Sequence, residues 1–342
     1  MNARALAPLV LLAAACAPHF DPRLADVPIA GRPWVSSVDR AHPLVGRIWE
    51  PRAGRYVDEA ELTRAVTSAD FVVLGETHDN PDHHILQARL LRAIVSAGRR
   101  PALAFEMLTT DQQGTVDASL AASPGDADAL GRAVKWNESR WPDFRFYRPI
   151  FATGLSAGLP VVAANLSRAD VKKIVAKGRD GLDADLSVRL ARDEPIPAAA
   201  AAALRAEMNQ SHCGALPESM LDPLVLAQRA RDARMAERMV ITGAERGAVL
   251  VAGSGHARVD RGVPAIVAKD APGRKVIAIA FTEVEEGQLD PSAYREDGGN
   301  AKEGPAPFDF RVFTPRVERD DPCEGMKEHM EKKRAEEPAS AK

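Results

Sequence analysis

Cysteine is scarce in this chain: only Cys16, Cys213 and Cys323 occur in 342 residues, with no CxxC pair among them. Aromatic residues reach only 5%, so each of the four tryptophans and three tyrosines carries more information than usual. There is no basic block and no aromatic–basic stripe. Opposite charges are well mixed around a net charge of −3, which argues against a nucleic-acid partner. No HExxH, GxSxG or Walker sequence occurs, and the "GSG" at 253–255 lacks the rest of a dinucleotide fingerprint. No internal repeat is visible. Outside the extreme N-terminus, no run is long and apolar enough to cross a membrane.

What is present is globular. Apolar residues make up 45% and charged residues 27%, and the length allows one large α/β domain or two smaller ones. The first residues, "MNARALAPLVLLAAACAPHF", join a short basic n-region to an apolar h-region, as in a secretory signal peptide over 1–15. Ala13-Ala14-Ala15-Cys16 looks like a bacterial lipobox, in which the Cys16 thiol takes a lipid; ordinary cleavage after Ala-x-Ala is the alternative. Ala17 after the cysteine suggests the outer membrane by analogy, hence an anchored protein of the bacterial envelope facing the periplasm. In such an oxidising compartment Cys213 and Cys323 can pair, although spacing alone does not bring their Cβ atoms together.

Residues 16–60 read as a Pro-rich tether and an irregular segment ending in a short hairpin around Ile48, Trp49 and Tyr56. A rhythm then sets in. "FVVLGE" (71–76), "PALAFEM" (101–107), "LPVVAAN" (159–165), "GAVLVAGSGHAR" (247–258) and "RKVIAIAFTEV" (274–284) are short apolar runs of the kind buried on both faces. Helical stretches separate them. In "NPDHHILQARLLRAIVSAG", Asn80 or Asp79 can cap a helix that Gly98 ends. The expected fold class is α/β: a mostly parallel, doubly wound sheet over 61–290, with a helical subdomain inserted at about 168–240. An irregular C-terminal extension covers 291–342, its charged tail disordered after about 320.

Ligands of open α/β sheets bind outside the carboxyl ends of the strands. The first apolar strand ends in Glu76 and His78, the second in Glu106, the third in Asn165, and the fourth in Gly253-Ser254-Gly255-His256-Ala257-Arg258. Each has a plain structural reading when taken alone. Together, Glu76, His78, Glu106 and His256 form a mixed N/O set suited to a divalent ion. His83 and His84 fall in a first helical turn, where the dipole disfavours cations, so neutral imidazoles able to ligate a metal are expected; a packed or solvated helix start is the alternative. "VKWNESRWPDFRFYRPI" concentrates Trp136, Trp141 and Tyr147, either as core anchors or as a flat wall for a planar ligand. On "LAQRARDARMAERM", Met235 and Met239 form a core stripe, while Gln228 and Asp232 can reach the crevice.

The blocks "VVLGETHDNPDHH", "PALAFEM", "LPVVAAN", "LAQRARDARMAERM" and "VLVAGSGHAR", in this order over about 70–268, resemble the ChaN-like family of haem-binding lipoproteins. That family's superfamily includes Tiki/TraB proteins and erythromycin esterases. Its marks are a GxxH turn (Gly75–His78), a glutamate after the second strand (Glu106) and a second GxxH (Gly253–His256). The resemblance implies haem as ligand and a role in haem or iron acquisition. It also implies a homodimer formed around haem and an outer-membrane haem receptor as partner. On this reading His83, His84, Tyr147, Asn165 and Arg258 contact the cofactor, with Tyr147 as iron ligand or propionate partner. The Tiki branch implies metal-dependent hydrolysis instead, with Glu76 or Glu106 as general base.

Overall fold

The computed structural model describes residues 20–193, 195–294, 306–321 and 323–325. The expected signal peptide, the expected lipidation at Cys16 and most of the tail beyond 320 lie outside them. Strands β1 (Ile48–Glu50) and β2 (Arg55–Val57) form the expected hairpin. Then come α1 (Glu59–Ser68), β3 (Phe71–Glu76), α2 (Pro81–Ser96), β4 (Ala102–Thr109), α3 (Gln113–Ala122), α4 (Ala127–Ala133), α5 (Phe144–Ser156) and β5 (Val161–Asn165). The helical insert is α6 (Arg168–Lys177), α7 (Ala184–Asp193), α8 (Ala198–Gln210) and α9 (Glu218–Thr242). The chain continues through β6 (Ala248–Gly253), α10 (Val263–Asp270), β7 (Val276–Glu283) and β8 (Phe310–Thr314).

The eight strands of the described residues share one sheet in the order β2-β1-β8-β7-β3-β6-β4-β5. β3 through β8 are parallel and the hairpin is antiparallel. Every residue of β3 and β6 is buried, as their unbroken apolar runs require. The strand period of two divides β3 between the faces. Val72 and Leu74 pack under α1, α2 and α5, while Phe71 and Val73 join Ala230, Met235 and Met239 of α9. Alanine at 230, 233 and 236 lets α9 lie close to the strands, so the last helix of the insert is also a layer of the domain. The outer edge of β5 is closed by Gln113, whose amide donates to Val161 O (3.1 Å) and accepts from Ala163 N–H (2.8 Å), as a strand would.

Two expectations need correcting. The segment after 290 is not simply irregular: Phe310–Thr314 inserts as β8 between β7 and β1. One five-residue run beside prolines gives little signal, and its partners are remote in sequence. The region before the hairpin is not all tether. The Asp82 carboxylate accepts the backbone N–H groups of Val35 (3.0 Å) and Ser36 (2.8 Å), which docks this segment on the start of α2. Cys213 and Cys323 are joined in a disulfide with Cα atoms 5.4 Å apart. It ties the chain beyond β8 to the turn between α8 and α9.

Candidate functional site

β6 enters the sheet between β3 and β4, and β7 flanks β3 on its other side, so successive crossovers diverge here and leave a crevice at the carboxyl ends. β4 and β6 stay paired through Phe105 and Val251 and then part. The next residue, Glu106, fills the gap by accepting Gly253 N–H at 2.7 Å. Gly75 must be glycine, because a Cβ there would stand 2.7 Å from that of Ala257.

The gathering predicted from four strand ends is present. Glu76 Oε1 lies 2.9 Å from His78 Nδ1, His78 Nε2 lies 4.0 Å from Glu106 Oε2, and Glu106 Oε1 lies 3.3 Å from His256 Nε2. α9 adds a layer at i, i+3 and i+4: Gln228, Arg231 and Asp232. Asp232 bonds His256 Nδ1, and Arg231 bonds Glu106 with one nitrogen and Asn165 Oδ1 (3.2 Å) with another. Arg231 was not foreseen; its spacing with 228, 232 and 235 was the available signal.

This interior is saturated with partners. Glu76 is 1% exposed and accepts from Tyr147 Oη (2.6 Å) and Gln87 Nε2 (2.6 Å), with His84 Nδ1 3.2 Å away. Burial opposes its charge, but His84 and His78 outweigh that and bring its pKa down to about 2. Burial likewise opposes charge on Glu106, and His256, His78 and Arg231 hold its pKa well below the usual carboxylate range. Burial disfavours the imidazolium of His256, yet Glu106 and Asp232 raise its pKa to about 9. For Asp232 burial prevails and the pKa rises. His78 is the exposed imidazole of the group, with 35% of its side chain accessible. Burial lowers its pKa, but Glu106 and Glu76 reverse this to a net rise.

Several expected roles do not survive this geometry. Among the described residues no three His, Cys, Asp or Glu side chains are disposed to hold a metal ion. His256 turns both ring nitrogens to carboxylates, and Glu76 already receives donors on both oxygens. The divalent ion therefore does not fit Glu76, His78, Glu106 and His256. Both oxygens of Glu76 and of Glu106 already accept hydrogen bonds. His83 is fully buried, accepting Thr77 N–H on Nδ1 (2.8 Å) and donating from Nε2 to Thr314 Oγ1 (2.9 Å). Burial, with His84 nearby, puts its pKa well below normal, and both ring nitrogens are engaged within the fold. His84 is equally buried, donating from Nε2 to His78 O at 2.8 Å. Tyr147 is fully buried against Trp136 and His84, and burial beside Glu76 raises its pKa far above normal, so it stays a bound phenol and a core anchor. Arg258 pairs with Asp260 in the turn after β6 (2.8 Å) and lies over the Phe308 ring. Asn165 does reach the rim, donating to Glu106 O at 3.0 Å.

Beside the interior lies an open cleft of about 490 Å³, lined by Arg140, Trp141, Arg168, Val171, Lys172 and Arg231, with Asn165 at its inner side. Trp141 meets the His78 ring edge-on at 4.9 Å, so the cleft abuts the GxxH turn. Among the described residues no carboxylate lines it. The donor set suits a flat, amphipathic anion such as haem: an indole and a valine for the ring, and guanidinium and ammonium groups for propionates.

The statistical profile of the family described as "Haem-binding uptake, Tiki superfamily, ChaN" matches residues 62–267. Among solved structures, that of ChaN of Campylobacter jejuni, described by its cofacial haem binding, is 21% identical. It covers 78% of this chain and 95% of that one, with a TM-score of 0.60, which makes the fold the same. The type III effector HopBA1 (13% identity, 74% and 91% coverage, TM-score 0.41) and the erythromycin esterase EreC (18%, 78% and 81%, 0.38) resemble it more loosely. No curated protein matches the chain in sequence. With more than half its length inside the family profile, the chain belongs to the haem-binding ChaN family of the Tiki superfamily.

Proposed function

We propose that this protein is a lipid-anchored envelope protein that takes up haem as cargo during iron acquisition and holds it in the Trp141 cleft. The observation that carries this reading is charge. Arg140, Arg168 and Lys172 line one cleft with no ion-pair partner among the described residues, next to an accessible indole. Isolated surface cations are ordinary; three around an aromatic wall, without a carboxylate, make a dicarboxylate site. The interior behind it fixes the cleft's shape. Arg231 is held by Glu106 and Asn165, and Trp141 rests on His78, itself held by Glu76.

Titration of haemin into the purified mature protein is expected to give a saturable change in the Soret band that weakens in Trp141→Ala. A spectrum identical to that of haemin with a bystander protein refutes the reading. For the anchor, Cys16 is proposed as the lipidated residue and the outer membrane as the site, facing the periplasm. Labelled palmitate should enter the wild type and not Cys16→Ser. A homodimer around haem and an outer-membrane haem receptor are the proposed partners. Cross-linking with and without haemin tests the dimer, and co-purification from detergent-solubilised envelopes tests the receptor.

A further inference from the structure

We infer that the Cys213–Cys323 disulfide is a redox latch on the crevice: oxidised, it pins a helical arm beside the ligand, and on reduction the arm loosens and the ligand leaves faster. The inference adds regulation to the proposed haem site and rests on that reading for its ligand.

The arm follows from the direction of α9. Gly243, which ends α9, lies against Phe71 at the start of β3. Gln228 and Asp232 meet His256 at the carboxyl ends of the strands. The helix therefore runs against the strands, and Glu218–Ala227 carries it about 15 Å beyond the level of Gln228. α8 lies beside this projecting end, where Arg205 bonds both Glu218 and Asp222. Pro223 has no N–H for the helix bond to Ser219 O, so α9 bends most readily between its tip and its packed body.

Both GxxH turns lie beneath the elements that the disulfide joins. Glu207 of α8 bonds Arg261 (2.5 Å), and a Cβ on Gly255 would stand 2.8 Å from Glu207 Oε1. The strap that leaves β8 is pinned to the other turn. Arg319 grips Asp79, the neighbour of His78, at 2.5 and 2.6 Å, and Glu283 at 2.6 and 2.8 Å. Cys323 follows four residues later, within a reach of about 14 Å. There it bonds Cys213 in the turn between α8 and α9. Local preference does not hold that turn. Cys213 has φ 59°, a left-handed value that suits glycine better, where Gly214 N–H donates to Asn209 O (2.8 Å) to close α8.

Both cysteines are half-buried, so a dithiol can reach them. One thiolate of the reductant displaces a cysteine sulfur and forms a mixed disulfide; its second thiolate then displaces the other sulfur. The reductant leaves as a disulfide, and Cys213 and Cys323 together gain two electrons and two protons. The strap stays on Asp79 through Arg319, while the arm keeps Glu207 and its base on α9. The change is thus a loosening of one wall and not an unfolding.

The experiment compares the oxidised mature protein, the same protein reduced with dithiothreitol, and Cys213→Ser/Cys323→Ser with and without dithiothreitol. Hydrogen exchange is followed over 198–226, and the transfer of bound haemin to excess apomyoglobin gives its rate of loss. Reduction and the double variant should each raise exchange over 198–226 at least about tenfold and speed haemin loss at least about fivefold. Dithiothreitol should leave the double variant unchanged. Unchanged exchange over 198–226, or a looser arm with an unchanged rate of haemin loss, overturns the latch and leaves haem binding intact. Absence of haemin binding by every form overturns the parent reading instead, and the exchange result still decides whether the bond holds the arm.

Discussion

Glu76 and Lys172 are both charged residues of one crevice, but their surroundings differ completely. Glu76 is sealed in and collects bonds from His78, Tyr147 and Gln87, whereas Lys172 stands exposed with no ion-pair partner among the described residues. The same contrast separates the whole interior from the cleft. Buried charge is costly and persists only where every donor meets an acceptor, so a saturated interior has nothing left for a ligand. Unpaired cations at a rim contribute little to folding and retain their capacity for an incoming anion. The interior keeps the crevice in shape and the cleft binds.

The hardest blow to this contrast is removal of an interior partner. Glu106→Ala leaves His256 with Asp232 alone and frees Arg231, and a loss of about 3–5 kcal/mol is expected in denaturant unfolding. A smaller loss would mean that water already reaches the interior. Next comes pH. The folded pKa of Glu76, about 2, lies below its ordinary value of 4.5, so its contribution is full above 4.5 and fades as pH falls towards 2. That of His256, about 9, lies above its ordinary 6.5, so its contribution is full below 6.5 and fades as pH rises through 9. Melting temperatures should therefore peak between those ordinary values, and a plateau extending to alkaline pH would remove His256 from the account. Gly253→Ala is milder, because the new Cβ meets the His78 ring at 3.0 Å and the ring must shift. About 1–3 kcal/mol of stability should go, together with part of the support for Trp141. Smallest is Arg168→Ala/Lys172→Ala, expected within about 0.5 kcal/mol of wild type in the same unfolding assay.

Legibility followed the physics of each signal. Runs such as "FVVLGE" and "VLVAGSG" read as buried strands because burial on both faces keeps them apolar up to their carboxyl ends. The rule for strand ends then gathered Glu76, His78, Glu106 and His256 without any distance information. Sequence proximity misled where it stood in for geometry. His83 and His84 are neighbours in a first turn, yet each points into a different buried network, His83 to Thr314 and His84 to the backbone of His78. Arg231 was hidden because a basic residue in "QRARDARMAER" looks like any solvated helix face. The cleft was harder still. Trp141, Arg168 and Arg231 lie on separate elements, and no local pattern says that they share a wall. Resemblance supplied haem but placed it on Tyr147, which packing reserves for the core.

The most direct test of the division between interior and cleft is to measure haemin affinity and melting temperature on the same samples of wild type and Arg168→Glu/Lys172→Glu. The account predicts affinity reduced by at least about tenfold with the melting temperature held or slightly raised, since glutamate suits the start of α6. Unchanged affinity in a folded variant would contradict it.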